Sequence, residues 1–342
     1  MARALALAAL AAGQTAPNPM VGAVLTREEA LVGEGFHARA GLPHAEVLAL
    51  RQAGPRARGA TLYVTLEPCA HYGRTPPCAD ALIAAGVTRV VVATEDPDPR
   101  VAGRGLDRLR AAGLEVTLGV GRAEAERLNR WYLTARRLGR PRVLYKWAAT
   151  LDGAVAAVGG AGEAVSGQAS QREVHRLRAT LDAVLIGVGT VLADDPRLTV
   201  RAAAGRDPWR VVADRRAETP VTARVLPALV CVGAAAAAER VAALRAAGAE
   251  VVVAEDPAAI LGVLQARGCL GVLLEGGPRL AHAFWQAGAI DEVAAVIAPR
   301  LLGGGLPPLA GPGPPHLAAA VPLRDVAVTA VGEDTWITGT VR

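Results

Sequence analysis

Hydrophobic positions in the first 140 residues recur in short blocks of two kinds. Apolar residues at helical spacing predict helices over 1–13, His44–Ala53, Ala79–Ala85 and Gly105–Ala112, and compact apolar runs predict strands at Val21–Leu25, Thr61–Leu66, Arg89–Ala93 and Glu115–Gly119. The stretch Glu124–Leu138 is again helical in pattern, and RRLGRPR then places glycine and proline between periodic segments, predicting a linker near 136–142. A second series predicts strands at Val143–Ala148, Ala183–Gly187, Arg210–Ala213, Leu229–Val232, Glu250–Val253, Gly271–Leu274 and Glu292–Ala298, with helices between most of them. Leu301–Pro315 is rich in glycine and proline and predicts a loop, followed by strands around Leu323–Val328 and Thr335–Thr340. This alternation predicts an α/β protein of two domains, 1–140 and 141–342, with helices on both faces of the first sheet.

Length agrees, since 342 residues is more than twice a domain of ~150. A composition of 52% hydrophobic and 20% charged residues fills a core and excludes the disordered class. With eleven aromatics the core must be aliphatic, and little is left for stacking against single-stranded nucleic acid. The net charge of +5 admits an anionic partner and points to phosphate, in a polymer or in a metabolite. Arginine outnumbers lysine 36 to 1, a bias of genomic kind that makes Lys146 conspicuous. Four cysteines do not make a disulfide framework, and two of them stand in a metal-like cluster that needs reduced thiols, so a cytoplasmic setting is expected. MARALALAALAAG imitates a signal peptide, but its basic start is weak and its apolar run continues into a turn and strand; a first helix is the expectation. No stretch approaches ~18 uninterrupted apolar residues, so no membrane span is expected.

The chemistry begins at PHAE and EPC. His44, Cys69 and Cys78 offer three ligands, the number a catalytic zinc takes while leaving its fourth position to water. Glu46, two residues after His44, stays near the metal while pointing elsewhere, as a proton carrier rather than a ligand. H-x-E followed by P-C and a second cysteine is the signature of zinc deaminases acting on cytosine or adenine rings, although the spacer between the cysteines has grown to AHYGRTPP. A structural zinc with His71 as fourth ligand is the competing reading. The inserted loop reads better as a substrate clamp, with His71 a polar contact and Arg74 a phosphate partner.

The strings TAPNPMVGAVL, GFHARAGLPHAE, TLYVTLEPCAHYGRTPPC and EDPDPRVAGRGLDRLRAAGLEV resemble the deaminase half of the bifunctional riboflavin-biosynthesis family, a pyrimidine deaminase fused to a reductase. The likeness runs through essentially the whole chain, and the long loop between cysteines is that family's ordinary form. It implies a cytidine-deaminase-like α/β/α sandwich, zinc on His44, Cys69 and Cys78, and the proton shuttle on Glu46. Substrate contacts are implied at Asn18, His37, His71, Arg74, Asp96 and Asp98; Asp98 stands where the family often has Asn, and a carboxylate there can still accept from a ribose hydroxyl.

In the second half, glycine turns end two strands, Gly187-Val-Gly189-Thr190 and Glu275-Gly276-Gly277-Pro278, each opening a helix whose N-terminus favours phosphate. Together they suggest a dinucleotide-sized crevice, although neither is a GxGxxG fingerprint. YKWAATLDG, REVHRLRA, DAVLIGVGTVLADDPRLTVR and LLEGGPRLAHAF are similar to the family's reductase half, which implies a dihydrofolate-reductase-like fold that uses NADPH. The resemblance implies NADPH contacts at Ala149, Thr190, Asp194 and the turn Gly277, Pro278, Arg279, Leu280, Ala281, His282 and Ala283. It implies substrate contacts at Arg178, Leu198, Arg201 and Glu275, and the two arginines suit a ribose 5-phosphate. Lys146 and Glu275 are candidates beside the reacting sugar carbon, although a lone strand lysine more often snorkels from a sheet edge. GGAGEAVSG departs from the family, which often carries tryptophan near Ala164 and a hydroxyl near Gly162. His175, His282 and His316 read as ordinary helix and loop residues, and Cys231 and Cys269 as small core residues.

The leading expectation is a two-step enzyme: zinc-dependent deamination of a diamino-pyrimidinone ribosyl phosphate, then NADPH-dependent reduction of ribosyl to ribityl. An RNA deaminase is disfavoured by the inserted loop and the whole second half, and no nucleic-acid partner is expected. A deaminase with a non-catalytic dimerisation module at 143–342 is the alternative. A homodimer through the second sheet is expected, since closed two-fold pairs are the commonest oligomer.

Overall fold

The computed structural model describes residues 1–72, 76–159 and 163–341, and the chain divides into two compact units, Met1–Gly139 and Arg140–Arg342. In the first, α1 (Ala2–Ala9) leads to β1 (Gly22–Arg27), β2 (Ala30–Phe36), α2 (Ala45–Ala53), β3 (Thr61–Val64) and α3 (Cys78–Ala84). Then follow β4 (Arg89–Val92), α4 (Arg104–Ala111), β5 (Glu115–Leu118), α5 (Arg122–Leu128) and α6 (Arg130–Leu138). The sheet runs β2-β1-β3-β4-β5, antiparallel through β2, β1 and β3 and parallel from β3 to β5. Its core is aliphatic, with Leu25, Leu62, Leu82, Leu106 and Leu109 fully buried.

Three elements differ from the sequence expectation. The first helix stops at Ala9 rather than residue 13. Strand β2 was unforeseen: it pairs antiparallel with β1 through a turn in which Glu28 and Glu29 take φ of 50° and 66°, and Gly33 and Gly35 interrupt its apolar alternation. Those glycines let α2 press on the sheet, because a Cβ at Gly33 would lie 2.2 Å from the Ala49 carbonyl oxygen and one at Gly35 2.5 Å from Leu48 Cβ. The helix expected over Glu124–Leu138 is broken at Asn129 into α5 and α6.

The second unit contains β6 (Arg142–Thr150), α7 (Gln168–Thr180), β7 (Ala183–Gly187), α8 (Val188–Asp194), β8 (Trp209–Ala213), β9 (Leu229–Val232) and α9 (Ala238–Ala246). It continues with β10 (Glu250–Val253), α10 (Pro257–Ala266), β11 (Gly271–Leu274), α11 (Pro278–Gln286), β12 (Glu292–Ala298), β13 (Arg324–Val331) and β14 (Asp334–Thr340). Its nine strands run β10-β9-β8-β7-β11-β6-β12-β14-β13, parallel from β10 to β12 and antiparallel through β14 and β13. Strand β6 therefore lies inside the sheet between β11 and β12, so Lys146 does not stand on an edge. The inner strands are continuously apolar, as parallel strands covered on both faces must be: β7, β9 and β11 present AVLIG, LVCV and GVLL. Cys231 and Cys269 lie in that core.

Candidate active sites

In the first unit the site is assembled at the start of two helices. His44 is the N-cap of α2 and Cys78 the first residue of α3, while Cys69 follows β3. The His44, Cys69 and Cys78 ligand atoms lie within 4.8 Å of one another, with His44 Nδ1 3.2 Å from Cys78 Sγ and 3.7 Å from Cys69 Sγ. The Cys78 amide also donates to Cys69 Sγ at 3.3 Å. A set of two thiols and one imidazole fits a tetrahedral zinc with one open position. His71 is exposed and outside this set among the described residues, which leaves the structural four-ligand alternative without its last ligand. Arg74 lies outside the described residues.

Glu46 is buried in the first turn of α2. Burial, and then the charge on Cys69, push its carboxyl up to about 7, near the value that suits proton transfer at neutral pH. The hydrogen bond with Cys78 draws the Cys69 thiol down to about 4, and the same bond together with burial pushes Cys78 up. His37 packs edge-on to His44, ring centres 5.4 Å apart. Its Nδ1 lies 3.1 Å from the Pro43 carbonyl, to which it must donate, so its Nε2 accepts from Asn18 Nδ2 at 3.0 Å. Burial lowers the His37 pKa and keeps the ring neutral.

Asp96 and Asp98 are both buried and already engaged. Tyr132 donates its hydroxyl to Asp96 at 3.0 Å, and the Asp98 amide donates to Asp96 at 2.9 Å. Arg100 grips Asp98 through Nε at 2.9 Å and Nη2 at 2.6 Å, holding that carboxyl down at about 2. Two residues that sequence reading had not singled out hold this site in place. Glu67 accepts backbone N–H from Gly105, Gly103, Leu106 and Asp96 at 2.8, 3.0, 3.3 and 3.3 Å, fastening the start of α4 beneath the Cys69 loop. Asn129 pairs with both backbone groups of Met20 at 2.8 Å, fixing the segment that carries Asn18. Glu67 was visible in the EPC string without a role; nothing local marks Asn129, whose partner is 109 residues away.

In the second unit, β7 and β11 are adjacent and parallel, so the two glycine turns at their ends are neighbours. Gly187 caps α8 and Gly277 caps α11, with Pro278 in the first turn. A Cβ on Gly277 would come 3.5 Å from Thr190 Oγ1, and one on Gly187 3.7 Å from Leu280 Cβ. This bare cradle, with a helix N-terminus free of any side-chain cap, fits a dinucleotide phosphate. Ala149 is buried in β6, Asp194 ends α8, and Arg279, Ala281, His282 and Ala283 lie in α11. The segment near Pro308 leans on this turn: Ala310 N donates to the Pro278 carbonyl at 3.2 Å, and Tyr145 donates to Pro308 at 2.5 Å.

Beside the cradle, Arg178 on α7 forms a bidentate pair with Glu275, both bonds at 2.7 Å and each side chain 12% exposed. Burial works to raise Glu275, but Arg178 outweighs it and holds the carboxyl ionised. Lys146 is half-buried, and burial lowers its ammonium pKa against the opposing charges of Glu275 and Asp334. Leu198 is buried with φ +55°, a left-handed conformation unusual for leucine and of the kind concentrated at functional sites. Arg201 is exposed, and partial burial followed by repulsion from Arg178, Arg197 and Arg224 lowers its pKa against the opposing charge of Asp207. Gly162 lies outside the described residues, while Ala164 is described and exposed.

Comparison with known proteins bears on both units. A family model described as RibD C-terminal domain matches residues 141–337, and one described as cytidine and deoxycytidylate deaminase zinc-binding region matches residues 1–94. The riboflavin biosynthesis protein RibD of Aquifex aeolicus is 42% identical over 343 residues, covering 98% of this chain and 96% of its own. That of Escherichia coli K12 is 42% identical over 358 residues, covering 98% and 97%. Among solved structures, Acinetobacter baumannii RibD form 1 matches with a TM-score of 0.92 at 40% identity, covering 99% of this chain and 97% of that one. A Thermotoga maritima diaminohydroxyphosphoribosylaminopyrimidine deaminase/5-amino-6-(5-phosphoribosylamino)uracil reductase matches at 0.87 and 34%, with coverage of 99% and 97%.

Proposed function

Because the chain belongs to the RibD family, bifunctional deaminase and reductase enzymes of riboflavin biosynthesis, we propose that it converts one phosphorylated pyrimidine in two steps at two separate sites. The observation that carries the reading is the presence in one chain of a His/Cys/Cys cluster beside a buried glutamate and of a paired glycine cradle beside an Arg–Glu–Lys cluster. The substrate proposed is 2,5-diamino-6-(5-phosphoribosylamino)pyrimidin-4(3H)-one, which matches the two activities named for the Thermotoga relative.

In the first step water adds to the ring carbon bearing the exocyclic amine, the C–N bond breaks and ammonia leaves. Zinc on His44, Cys69 and Cys78 supplies Lewis-acid activation when bound. Glu46 takes a proton from the water and returns it to the departing amine, a task for which its elevated pKa suits it. His37 and Asn18 present polar groups to the ring, and Asp96 and Asp98 shape the sugar side through the loop they brace. His71 would offer the substrate a polar contact, and the guanidinium chemistry of Arg74 suits a phosphate partner.

In the second step Ala149, Thr190, Asp194 and the Gly277–Ala283 turn would hold NADPH, which when bound would supply hydride to the ribosyl carbon. Lys146, its ammonium acidified by burial, gives the proton that the opening sugar ring requires. Glu275, kept ionised by Arg178, orients that ammonium and a sugar hydroxyl. Arg201 meets the phosphate, and Leu198 lines the approach. We infer the boundary between the two activities near 140, a reduced cytoplasmic setting suited to thiol ligands, and a homodimer through the second sheet. Edge strand β13 favours that dimer, since it exposes Val326 by 54% and Val328 by 66%.

The test follows ammonia release and NADPH absorbance together on the diamino substrate. Both signals are expected. Ammonia without NADPH oxidation would leave a deaminase with a silent second domain, and neither would end the reading.

A further inference from the structure

Deeper in the reductase unit, His175 holds a position that its place in a surface-patterned helix had not suggested. It is buried on α7, three residues before Arg178 and therefore on the same helical face. Its Nδ1 lies 3.1 Å from the backbone nitrogen of Arg201 and accepts that N–H. The segment that ends in Arg201 is strained, with Asp195 and Leu198 at φ of 41° and 55°, and such a conformation persists only where its surroundings hold it. Two other contacts act on it: Asp207 accepts from Val200 N at 2.6 Å, and Asp195 accepts from Arg224 N at 2.7 Å. Among the described residues, it is the contacts of His175 that tie the segment to the helix carrying Arg178, and through it to Glu275.

We propose that His175 is a positioning residue of the reductase site: its neutral ring, accepting from Arg201 N–H, holds Arg201 to recognise the substrate's phosphate while Arg178, on the same helix face, and its partner Glu275 serve the sugar. The inference rests on the reading of Arg201 as the phosphate partner. It requires the neutral ring, because a protonated imidazole carries N–H at both nitrogens and cannot accept. The surroundings favour that form. Burial, then the charges of Arg178 on the same helix and Arg201 on the loop, keep the ring below its ordinary value, against the opposing Glu275 and the Thr199 carbonyl.

The test uses the full-length, zinc-loaded protein with the deaminated ribosylamino-pyrimidinedione 5′-phosphate and its dephosphorylated counterpart, following NADPH oxidation. His175→Leu and His175→Gln, which lack an acceptor at the δ position, should raise KM for the phosphorylated substrate about fivefold to tenfold, the worth of one hydrogen bond. Their kcat should stay within about twofold, and KM for the dephosphorylated substrate should not move. His175→Asn, whose Oδ1 replaces Nδ1, should restore the wild-type KM. It should also abolish the His175-dependent rise in KM expected of the wild type as pH falls below the ordinary histidine value. Equal losses on both substrates, or no rescue by Asn, would make His175 merely structural and overturn the proposal. Arg201→Ala is the control for the underlying reading: if it leaves the preference for phosphate intact, that reading fails, whatever the His175 variants do.

Discussion

Replacing Glu67 by glutamine should loosen the deaminase site without touching a ligand. The native carboxylate accepts from Gly105 N at 2.8 Å and Leu106 N at 3.3 Å on one oxygen, and from Gly103 N at 3.0 Å and Asp96 N at 3.3 Å on the other. An amide has one acceptor oxygen, so whichever way it sits it loses one short and one long bond and turns its own N–H₂ on two donors. A hydrogen bond to a charged group contributes roughly 1.5–3 kcal/mol, and the favourable charge at the start of α4 another 0.3–1 or so. Counting the long bond at little, the loss is about 3 kcal/mol. For a domain of this size that lowers Tm by roughly 10 °C. Scanning calorimetry of the full-length zinc protein resolves the effect, because NADPH raises only the reductase transition and so identifies it. The other transition should fall, and a chelator should strip zinc faster, since Cys69 lies two residues beyond Glu67. A fall below ~2 °C with unchanged zinc retention would refute the reasoning.

Further outcomes follow from the other charged clusters. Arg178→Met leaves Glu275 buried without its partner and should cost about 3–5 kcal/mol in the NADPH-sensitive transition; adding Glu275→Met should recover stability but no NADPH oxidation, and a double variant as unstable as the single would contradict this. Asp98 has a folded pKa of about 2 against an ordinary 3.8, so its stabilisation is present above pH ~4 and is lost as pH falls through 2. With Arg100 65% exposed, solvent screening reduces this to the order of 1 kcal/mol. The stability gap between the wild type and Asp98→Asn should therefore narrow between pH 4 and 2, and a constant gap would show that the carboxyl is not ion-paired. A chelator should abolish ammonia release while NADPH oxidation on the deaminated substrate continues; loss of both would mean that zinc supports the whole chain.

The parts of this molecule that were legible in the sequence are those whose signal is local. The strands VLIG and GVLL and the glycine turns behind them announce themselves, as do His44, Glu46 and Cys69 beside a strand and a helix start. Strand β2 escaped because Gly33 and Gly35 serve the packing of α2 and so erase the alternation that marks a strand. Asn129 escaped because its partner Met20 is distant in sequence, and the same is true of His175, whose partner Arg201 is 26 residues on. Lys146 was conspicuous for its rarity, but its interior place between β11 and β12 depends on strand order, which no local pattern encodes. The family resemblance implies Arg178 as a substrate contact, and its guanidinium suits a phosphate; its bidentate grip on Glu275 emerges only when α7 and β11 are brought together.

The most direct test of two independent sites in one chain is complementation in solution. Glu46→Gln should lose ammonia release yet reduce the deaminated substrate, and Lys146→Ala should release ammonia without oxidising NADPH. Mixed together on the diamino substrate, the two variants should restore NADPH oxidation after a lag in which the deaminated intermediate accumulates. Failure of the mixture when each variant keeps its own half-reaction, or loss of both half-reactions in either variant, would contradict the account.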